Sequence, residues 1–383
     1  MNTIVAIDVA KDTSSFCVMR NQKPHISGFP MTKHGFDQLL KVTGKIRGPA
    51  YFMESTGRYH LTLLNYLVSH HRDAFVVNPI LVKNFSKANT LRKTKTDKID
   101  ARLIAEFAQQ HAHSLKKAEY GLTEEIRSLA RRREQIAEEI AKVKTQVKAD
   151  LTVAFPEILS LNVFTAGMLR LLSEYASPQA LLAASENTIT DLLREHGKGR
   201  SCTISVDQVL ALAKESIGIE SYGPLARDSV KNLISVQDRE KAVTEALLKC
   251  IREHQSKEQD ILTSIPGIGN ITSAHFLAEV GDITKYPRYQ NLIAYCGTDP
   301  SLYESGSIQK RGHITKRGNS SLRKYVYLMA SGVRTYSPYF RAYYDKKRDE
   351  GFPHRKAMVA LMNKLLRTMF ALLTKGELYI IPD

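Results

Sequence analysis

The sequence has no tryptophan, only four cysteines among 383 residues, and no apolar run that approaches the length of a membrane span. Such a span requires about 20 apolar residues, so no transmembrane segment is predicted and a membrane is disfavoured as a partner. The cysteines are too scattered for a zinc site or a disulfide framework. The N-terminus lacks the basic region and the cleavage pattern of a secretory signal. These absences predict a reduced, soluble, cytoplasmic protein.

Acidic residues are also scarce relative to basic ones. The sequence contains 39 Asp and Glu against 55 Lys and Arg, which gives a formal net charge of +16 and a pI of about 9.5. Such an imbalance favours a polyanionic partner, most simply nucleic acid. The hydrophobic content of 43% is that of an ordinary globular protein, and the length suffices for two or three domains.

Residues 1–115 alternate strand-like and helix-like segments, which is typical of an α/β layer with a mixed sheet. The first two strands are expected to pair as a hairpin across Asp12 and Thr13. The predicted strands lie at residues 3–9, 15–19, 50–54 and 74–77, and the predicted helices at residues 35–42 and 59–70.

A lone aspartate in an apolar strand is the most informative feature of this domain. Asp8 lies in the apolar run of residues 4–10, where an uncompensated carboxylate costs several kcal/mol in desolvation. A cation or fixed hydrogen-bond donors would compensate that cost, and three more acids occur where they could share a cation. Glu54 ends a second strand, and Asp97 and Asp100 open a helical stretch. Residues three apart on a helix have Cβ atoms about 5–6 Å apart, so both aspartates can face one cluster.

The residue types of this set indicate which metal they would bind. Carboxylates without histidine or cysteine suit Mg²⁺ or Mn²⁺, and such clusters activate a phosphodiester for in-line displacement. We therefore predict a catalytic metal site formed by Asp8, Glu54, Asp97 and Asp100. Taken alone, either helical aspartate is better explained as a surface carboxylate near a helix start.

A different pattern begins near Tyr120. Apolar residues recur at alternating four- and three-residue steps from Leu122 to Val147, with Arg133 in one slot, which predicts a long helix with a heptad seam. A second long helix is predicted at residues 225–261. The two helices are expected either to form an antiparallel coiled-coil arm or to dimerise with a second subunit. A helix packed within its own domain is an equally good interpretation of the heptad seam.

Residues 155–224, between these helices, have the pattern of a small helical insert broken by proline and glycine. We assign this insert no chemistry. The predicted domains are therefore residues 1–115, residues 116–261 with the insert, and residues 262–383.

The C-terminal segment carries two features that suggest nucleic-acid binding, and the first is a glycine turn. Gly267 and Gly269 precede a predicted helix at 270–280, a helix-hairpin-helix signature in which backbone amides bind a phosphate. A plain tight turn is the alternative. A polar loop is expected at residues 299–307.

The second feature is a run of basic residues without an intervening acid, which favours nucleic-acid contact over a solvated surface. Lys95, in another basic stretch just ahead of the aspartate pair, is expected to contribute in the same way. Two helices, at 322–333 and 355–373, are predicted to complete the fold. The basic run consists of Lys310, Arg311, His313, Lys316, Arg317, Arg323 and Lys324.

The order of these motifs resembles the insertion-sequence family 110 transposases, a group that includes the Piv-type DNA invertases. Asp8, Glu54, Asp97 and Asp100 match the D-E-D-D pattern of that family. The resemblance covers nearly the whole chain except residues 155–224. The stretches that match the C-terminal transposase domain of the family are 264–269, 295–297, 305–306, 314–319 and 322–323.

The resemblance implies a RuvC-like N-terminal domain of the ribonuclease-H type, whose acids bind Mg²⁺. It also implies a C-terminal serine that becomes covalently joined to DNA, and by motif position that serine is Ser305. Where the family commonly has a second glycine and then lysine, this chain has Ser307 and Ile308, so Lys310 or Arg311 is expected to supply the basic contact. Recombinases of the family work as tetramers guided by a structured RNA from the element's own ends.

The predicted function is therefore that of a DNA transposase or site-specific recombinase that uses a phosphoserine intermediate and Mg²⁺. We expect a homodimer or homotetramer held by the coiled coil, associated with the nucleoid when bound to DNA. The active site is expected to combine the acids of one subunit with Ser305 of another. The main alternative is a Mg²⁺-dependent Holliday-junction-type nuclease that uses water. A non-catalytic nucleic-acid-binding protein, and a tyrosine recombinase using Tyr303, Tyr325 or Tyr327, are weaker alternatives.

Overall fold

The computed structural model describes residues 3–20, 23–55, 58–89, 97–115, 117, 122–194, 204–305 and 308–381, with the side chains of residues 97, 301–305 and 308–313 among those left undescribed. The chain divides into two compact units, Met1–Glu124 and Glu125–Asp383. The second unit contains most of the segment predicted at 116–261 and all of 262–383. The division into three domains stays a prediction.

The first unit is built on a mixed sheet of five strands in the order β3-β2-β1-β4-β5. Strands β1, β2 and β3 pair antiparallel, and β1, β4 and β5 pair parallel. The predicted α/β class with a mixed sheet is confirmed, and the predicted hairpin is the β1–β2 pair. The strands are β1 (Thr3–Asp8), β2 (Thr13–Arg20), β3 (Lys23–Pro30), β4 (Pro49–Glu54) and β5 (Asp73–Val77).

Helices cover both faces of this sheet because the central strands are apolar on both sides. In β1, Val5 and Ile7 pack on the face shared with α1 and α2, while Ala6 packs on the face shared with α3 and α4. This alternation is the period of two that a strand imposes on its side chains. The helices of the first unit are α1 (Lys33–Thr43), α2 (His60–Ser69), α3 (Pro79–Asn89) and α4 (Asp97–His111).

The second unit is mainly helical, as predicted. Its two long helices, α5 (Leu122–Ala154) and α10 (Gly223–His254), run antiparallel. Arg133 of α5 pairs with Glu240 of α10, and further along α5 Val147 shares a core with Val230 from an earlier part of α10. The supercoil and the dimerisation of these helices stay predictions.

The second long helix ends earlier than the sequence suggests. Helix α10 stops at His254, and a separate helix, α11 (Ser256–Thr263), follows. The break is at Gln255, whose φ of −139° and ψ of 34° are not helical. The prediction of one continuous helix at 225–261 is therefore wrong. The break was not visible in the sequence, because a local break at a polar residue leaves the apolar spacing nearly unchanged.

The insert between the long helices forms a helical cap with its own core. Phe155, Leu171 and Val209 are buried in this core together with Leu151 of α5 and Leu233 of α10. The cap therefore closes one end of the α5–α10 pair. Its helices are α6 (Ala166–Glu174), α7 (Pro178–Leu182), α8 (Glu186–Arg194) and α9 (Val206–Lys214).

The described residues of the C-terminal part form a β-hairpin and five α-helices. The predicted polar loop at 299–307 is wrong, because β6 (Pro300–Ser305) pairs antiparallel with β7 (Ile308–Ile314). A two-residue Gly-Ser connection between the strands was the sequence signal for a hairpin. The helices are α12 (Asn270–Val280), α13 (Tyr289–Cys296), α14 (Ser320–Tyr336), α15 (Pro338–Asp349) and α16 (His354–Lys375).

One helix in the described part of the chain, α16, is long and apolar enough to cross a membrane by length and composition. This corrects the expectation that no segment approaches such a length. Leu361, Leu365 and Met369 of α16 are nevertheless fully or almost fully buried, and the helix packs on α11, α13, α14 and α15. Its apolar character is thus explained by its place in a core.

Candidate active site

Two of the predicted acids lie at the carboxyl ends of adjacent parallel strands. Asp8 is the last residue of β1 and Glu54 is the last residue of β4. The strands pair in register with Ile7 opposite Met53, so the two acids follow at the same edge of the sheet. By strand alternation both point to the face of Ala6 and Phe52, the face that α4 covers. Both acids are partly exposed.

The other two acids lie at the start of the helix that crosses this face. Ala101, Ile104 and Ala108 of α4 are buried against the sheet. Asp97 and Asp100 precede them at helical spacing, so they continue the same stripe towards the N-terminus of α4. Asp97 is the first residue of the helix, and its side chain is outside the described part. The backbone thus places Asp8, Glu54 and Asp100 on one face of the sheet, and the inclusion of Asp97 stays a prediction.

The donor set fits a hard divalent cation, since it consists of carboxylates. Among the residues whose side chains are described, no three His, Cys, Asp or Glu side chains form a group that could hold a metal ion. Asp8, Glu54 and Asp100 are described and do not form such a group by themselves. Because the Asp97 side chain is outside the described part, the complete quartet stays a prediction. The fit rests on residue type, on the register of β1 with β4, and on the helical spacing in α4.

Ser305 lies at the tip of the C-terminal hairpin. It is the last residue of β6 and pairs with Ile308, the first residue of β7. Lys310 and Arg311, the predicted basic contacts, lie on β7, opposite Tyr303 and Leu302. Hairpin tips project from the body of a domain, which makes this position suitable for reaching an external phosphate. The side chains of these six residues are outside the described part.

Hydrogen bonds join the two ends of this hairpin at its base. Thr315 donates from its backbone N–H to the carbonyl of Asp299 at 3.0 Å and from its hydroxyl to the Asp299 carboxylate at 2.6 Å. The N–H of Lys316 donates to the carbonyl of Gly297 at 3.2 Å. Gly297 has a φ of +70° as the C-cap of α13, a conformation that favours glycine. The hairpin therefore leaves the helical body from a defined base.

The predicted basic contacts of this region differ in their surroundings. Lys316 and Arg317 are exposed and available to a polyanion. Arg323 is half-buried and donates to the carbonyl of Cys296 at 3.0 Å, so it helps to hold the hairpin base. Lys324 pairs with Glu134 at 2.8 Å, a partner that the local sequence does not reveal. Lys95 lies outside the described residues.

The two glycines of the predicted helix-hairpin-helix also differ. Gly267 has a φ of +99°, and a Cβ atom there would lie 2.4 Å from the carbonyl group of Gly332 in α14. Its lack of a side chain is therefore required for packing within the protein. Gly269 is exposed and is the N-cap of α12, and a Cβ atom added to it would meet nothing within 4 Å. Of the two, Gly269 retains space for a phosphate, and the motif's role stays a prediction.

The described tyrosines of the weaker recombinase alternative are poorly placed for nucleophilic attack. Tyr325 is 4% exposed and stacks on His275 with ring centroids 3.7 Å apart. Burial raises the pKa of Tyr325 to about 12, so its phenol stays protonated at neutral pH. Tyr327 is 42% exposed, but its helix lies at the base of the hairpin and not at its tip.

Arg133, the polar residue in the heptad seam, is the centre of a polar layer between α5 and its neighbours. It donates to Glu240 at 2.6 Å, to the hydroxyl of Thr244 at 3.0 Å and to Nε2 of His275 at 3.4 Å. A polar residue in an apolar seam fixes the register of the helices at some cost in stability. The layer thus sets how α5, α10 and α12 align.

His275 in this layer makes the stability of the second unit depend on pH. Burial first, and then the charges of Arg133 and Lys324, lower the pKa of His275 to about 3. Because this pKa is below the unfolded value of about 6.5, the neutral ring stabilises the fold above pH 6.5. That contribution is lost progressively as the pH falls below this value.

We therefore expect acid to destabilise the wild type more than His275→Phe, which keeps an aromatic ring but cannot be protonated. From pH 7 to pH 5 the wild type should lose about 2 kcal/mol more free energy of unfolding than the variant. Urea unfolding at the two pH values measures this difference. The exposed His254→Phe variant should follow the wild type. Equal losses for wild type and His275→Phe would show that His275 is not buried in the neutral form.

Sequence reasoning missed a fully buried acid of the second unit. Glu279 is fully buried in α12, on the same helical stripe as His275. The signal was present, because Glu279 interrupts an apolar segment from Phe276 to Val280 just as Asp8 interrupts an apolar strand. Its partners come from α5 and α14, which no local pattern identifies.

Comparison with known proteins matches both parts of the chain to transposases. Residues 5–156 match the DEDD transposase model of IS110 elements, and residues 259–345 match the model described as the transposase IS116/IS110/IS902 family. The two matches include the segments that carry Asp8, Glu54, Asp97, Asp100 and Ser305.

Individual relatives extend this similarity over most of the chain. The insertion element IS110 43.6 kDa protein of Streptomyces coelicolor is 28% identical over 75% of this chain and 72% of its own length. The pilin gene-inverting protein of Moraxella bovis is 23% identical over 98% of this chain and 97% of its own length. The transposase for insertion sequence element IS1111A of Coxiella burnetii is 30% identical over 50% of this chain and 54% of its own length.

Proposed function

Because the chain belongs to the IS110 family of transposases, we propose that this DNA transposase or recombinase cuts and rejoins DNA through a covalent bond between a DNA phosphate and Ser305. The observation that carries the proposal is the placement of two reactive elements. Asp8 and Glu54 end adjacent parallel strands on the face that α4 crosses. Ser305 ends a strand at the tip of a hairpin whose base is fixed by hydrogen bonds.

We propose that the first unit is a RuvC-like domain in which Asp8, Glu54, Asp97 and Asp100 hold Mg²⁺ or Mn²⁺. Strand ends in the middle of a sheet are rigid, so Asp8 and Glu54 would supply fixed oxygen ligands. Asp97 and Asp100 would approach from the first turn of α4. A divalent ion stabilises negative charge on a phosphoryl group and activates a weak nucleophile beside it.

The proposed reaction exchanges one phosphodiester for another. The Ser305 hydroxyl oxygen attacks phosphorus, the new O–P bond forms, and the bond from phosphorus to one deoxyribose oxygen breaks. The serine proton leaves to a base, and the released sugar oxygen takes up a proton. In the second step a sugar hydroxyl of another strand attacks the phosphoserine and displaces Ser305. Each step conserves the number of phosphate ester bonds, so rejoining needs no ATP.

Serine requires this assistance because a hydroxyl is a weak nucleophile at its ordinary pKa. We propose that the acids and Ser305 act on the same phosphate, with the acids of one subunit serving the serine of another in a dimer or tetramer. Mixing Asp8→Ala subunits with Ser305→Ala subunits tests this arrangement, because only shared active sites allow the two inactive proteins to restore activity.

We further propose that a structured guide RNA selects the DNA, as the family resemblance implies. The exposed cations Lys316 and Arg317 bind a phosphate backbone irrespective of its sequence, so they do not explain sequence choice. The test is whether nuclease removal of copurified RNA abolishes choice of target while non-specific DNA binding persists. Unchanged target choice without RNA would contradict a guide.

Trapping of the intermediate tests the central proposal. Protein incubated with Mg²⁺ and DNA carrying an element end should yield a DNA–protein adduct that survives denaturing electrophoresis. Peptide mapping after nuclease digestion should locate the nucleotide on residue 305. Free DNA ends without an adduct would instead support the water-dependent nuclease, and an adduct on Tyr327 would support a tyrosine recombinase.

The basic surface leads to a prediction about salt. The logarithm of the DNA association constant should fall linearly with the logarithm of salt concentration, and Arg317→Ala should reduce this slope by about 1. The reduction should be the same for specific and random DNA, because a phosphate contact does not read sequence. Lys214→Ala, an exposed change in the helical cap, is the control and should leave the slope unaltered. Fluorescence anisotropy at several salt concentrations measures the slope for each variant. A DNA affinity that does not depend on salt would contradict binding through phosphate contacts.

A further inference from the structure

Glu279 is a fully buried carboxylate that an arginine of α5 neutralises. Its side chain is 0% exposed. Arg131 donates from Nε to Oε1 at 2.9 Å and from Nη2 to Oε2 at 3.1 Å, and Nε of Arg127 lies 3.8 Å from Oε2. The paired bonds from one guanidinium fix the plane of the carboxylate. Glu279 is therefore held in one orientation relative to α5.

The same carboxylate orients the asparagine that begins α14. Asn319 donates from Nδ2 to Oε2 of Glu279 at 2.6 Å. Its Oδ1 accepts from the N–H of Leu322 at 3.0 Å, which makes it the N-cap of α14. Its own N–H donates to the carbonyl of Tyr295 at 2.7 Å. Because an amide has one donating and one accepting end, the Glu279 carboxylate determines which way Asn319 faces.

Asn319 belongs to the base of the hairpin that carries Ser305. The segment that leaves β7 at residues 315–319 bonds to the segment that enters β6 at residues 295–299. Gly318 has no space for a side chain, since a Cβ atom there would lie 2.1 Å from the carbonyl oxygen of Tyr295. A shift of Asn319 would therefore be passed to both ends of the hairpin.

A second carboxylate, that of Glu134, binds the same part of α14. It lies on α5, about one turn after Arg131. Glu134 accepts from the hydroxyl of Ser321 at 2.6 Å and from Lys324 at 2.8 Å. Two residues of α5 thus fix the first turn of α14. Glu134 bonds to it directly, and Arg131 acts through Glu279. The bonds that Arg131 and Glu134 themselves make join residues that are 148 to 190 positions apart in the chain.

We propose that Glu279 is a positioning residue for Ser305. Through Asn319 it sets the direction of the hairpin base, and through Arg131 it couples that base to α5. In sequence, helix α5 follows the part of the chain that carries the acids. The bonds of Glu279 therefore fix the base of the Ser305 hairpin to this helix. The inference rests on the proposed role of Ser305 as nucleophile.

Stability alone does not explain the arrangement. A buried ion pair contributes little net stability, and apolar residues of similar volume often replace one without loss. What distinguishes this ion pair is that the Glu279 carboxylate is held in one orientation, because each of its oxygens accepts from an identified donor. A misplacement of about 1 Å far from the reacting atoms is enough to lower a rate about 10²-fold. The Glu279 network therefore determines the reaction rate more than it determines whether the unit folds.

The first test replaces the carboxylate with an amide. Glu279→Gln turns one end of the side chain into a donor that opposes Arg131 or Asn319. We expect the rate of adduct formation at saturating DNA to fall about 10²-fold, with unchanged DNA affinity. Amides in the hairpin, residues 300–314, should exchange their hydrogens faster in the absence of DNA. This second readout does not depend on the chemistry of Ser305.

Exchanging the two groups provides the rescue. Asn319→Asp alone places a second carboxylate against Glu279 and should be about as slow as Glu279→Gln. In the double variant Glu279→Gln, Asn319→Asp, an amide again faces a carboxylate, and aspartate still caps the helix. We expect the double variant to recover at least about tenfold in rate over either single variant. A role in folding alone would predict additive losses instead.

Two further variants keep the test decisive. Glu139→Gln removes another ion pair between α5 and α10, with Arg239 at 3.2 Å, and should leave both readouts unaltered. If Glu279→Gln does not fold, Glu134→Gln should show the same slower adduct formation and faster hairpin exchange. The inference would be overturned if a folded Glu279→Gln protein showed an unchanged rate of adduct formation and unchanged hydrogen exchange in the hairpin. It would also be overturned if the double variant reacted no faster than either single variant. If the wild type forms no adduct while Glu279→Gln still loosens the hairpin, the proposed function fails and the coupling stands.

Discussion

Ser305→Ala should abolish the covalent DNA–protein adduct and lower strand exchange by at least about 10³-fold, the scale of loss when a nucleophile is removed from an otherwise complete active site. DNA binding should persist, because a neutral hydroxyl contributes little to an affinity that depends on phosphate charge. The change removes only one oxygen at a hairpin tip, so the free energy of unfolding should be nearly unchanged. Denaturing electrophoresis of DNA incubated with each protein gives the adduct yield.

Ser307→Ala is the matched control, since it removes the serine of the two-residue connection that follows Ser305. It should form adduct at a rate close to that of the wild type. Ser305→Cys is informative as well, because a thiolate is a stronger nucleophile at neutral pH but prefers softer partners than a phosphate. Retention of DNA cleavage in Ser305→Ala, with free ends, would assign the chemistry to water and make Ser305 structural.

The positions of Asp8 and Glu54 at strand ends were predictable because their signals are local. A carboxylate in an apolar strand is costly wherever the strand lies, so Asp8 stands out without knowledge of the fold. Strand alternation and helical spacing then decide which face Asp8 and Asp100 share. The same local patterns predicted β1, β2, β4, β5, α1 and α2 to within a few residues. The third strand was missed, since residues 23–30 are weakly apolar and form the sheet edge.

The C-terminal half was less predictable because its order comes from distant residues. The motif at 314–319 was matched by resemblance, yet its physical role is to bond to residues 295–299 at the hairpin base. Arg323 and Lys324 looked like free cations, but their partners are the carbonyl of Cys296 and the carboxylate of Glu134. A run without acids says nothing about acids that another helix supplies. Burial of Glu279 likewise depends on Arg131, which lies far away in the sequence.

The other large effect concerns the acids. Asp8→Asn keeps the size of the side chain and removes its charge, and strand cleavage in Mg²⁺ should fall by at least about 10³-fold if the ion stabilises the transferring phosphate. Removal of divalent ions with a chelator should stop the wild-type reaction, and Mg²⁺ or Mn²⁺ should restore it. Ca²⁺ should restore it poorly, because it takes more ligands at longer distances in a looser geometry. Adduct yield and cleavage of a labelled DNA end measure these effects.

Stability separates this metal role from a structural one. If Asp8 only binds the ion, Asp8→Asn, which keeps the size of the side chain, should unfold at about the same temperature as the wild type in chelator. Mg²⁺ should raise the unfolding temperature of the wild type and not that of the variant, since binding to the folded state stabilises it by mass action. Asp12→Asn, an exposed change in the β1–β2 turn, should respond to Mg²⁺ as the wild type does. An Asp8→Asn protein that is less stable in chelator, and equally stabilised by Mg²⁺, would mean that Asp8 supports the strand and does not bind the ion.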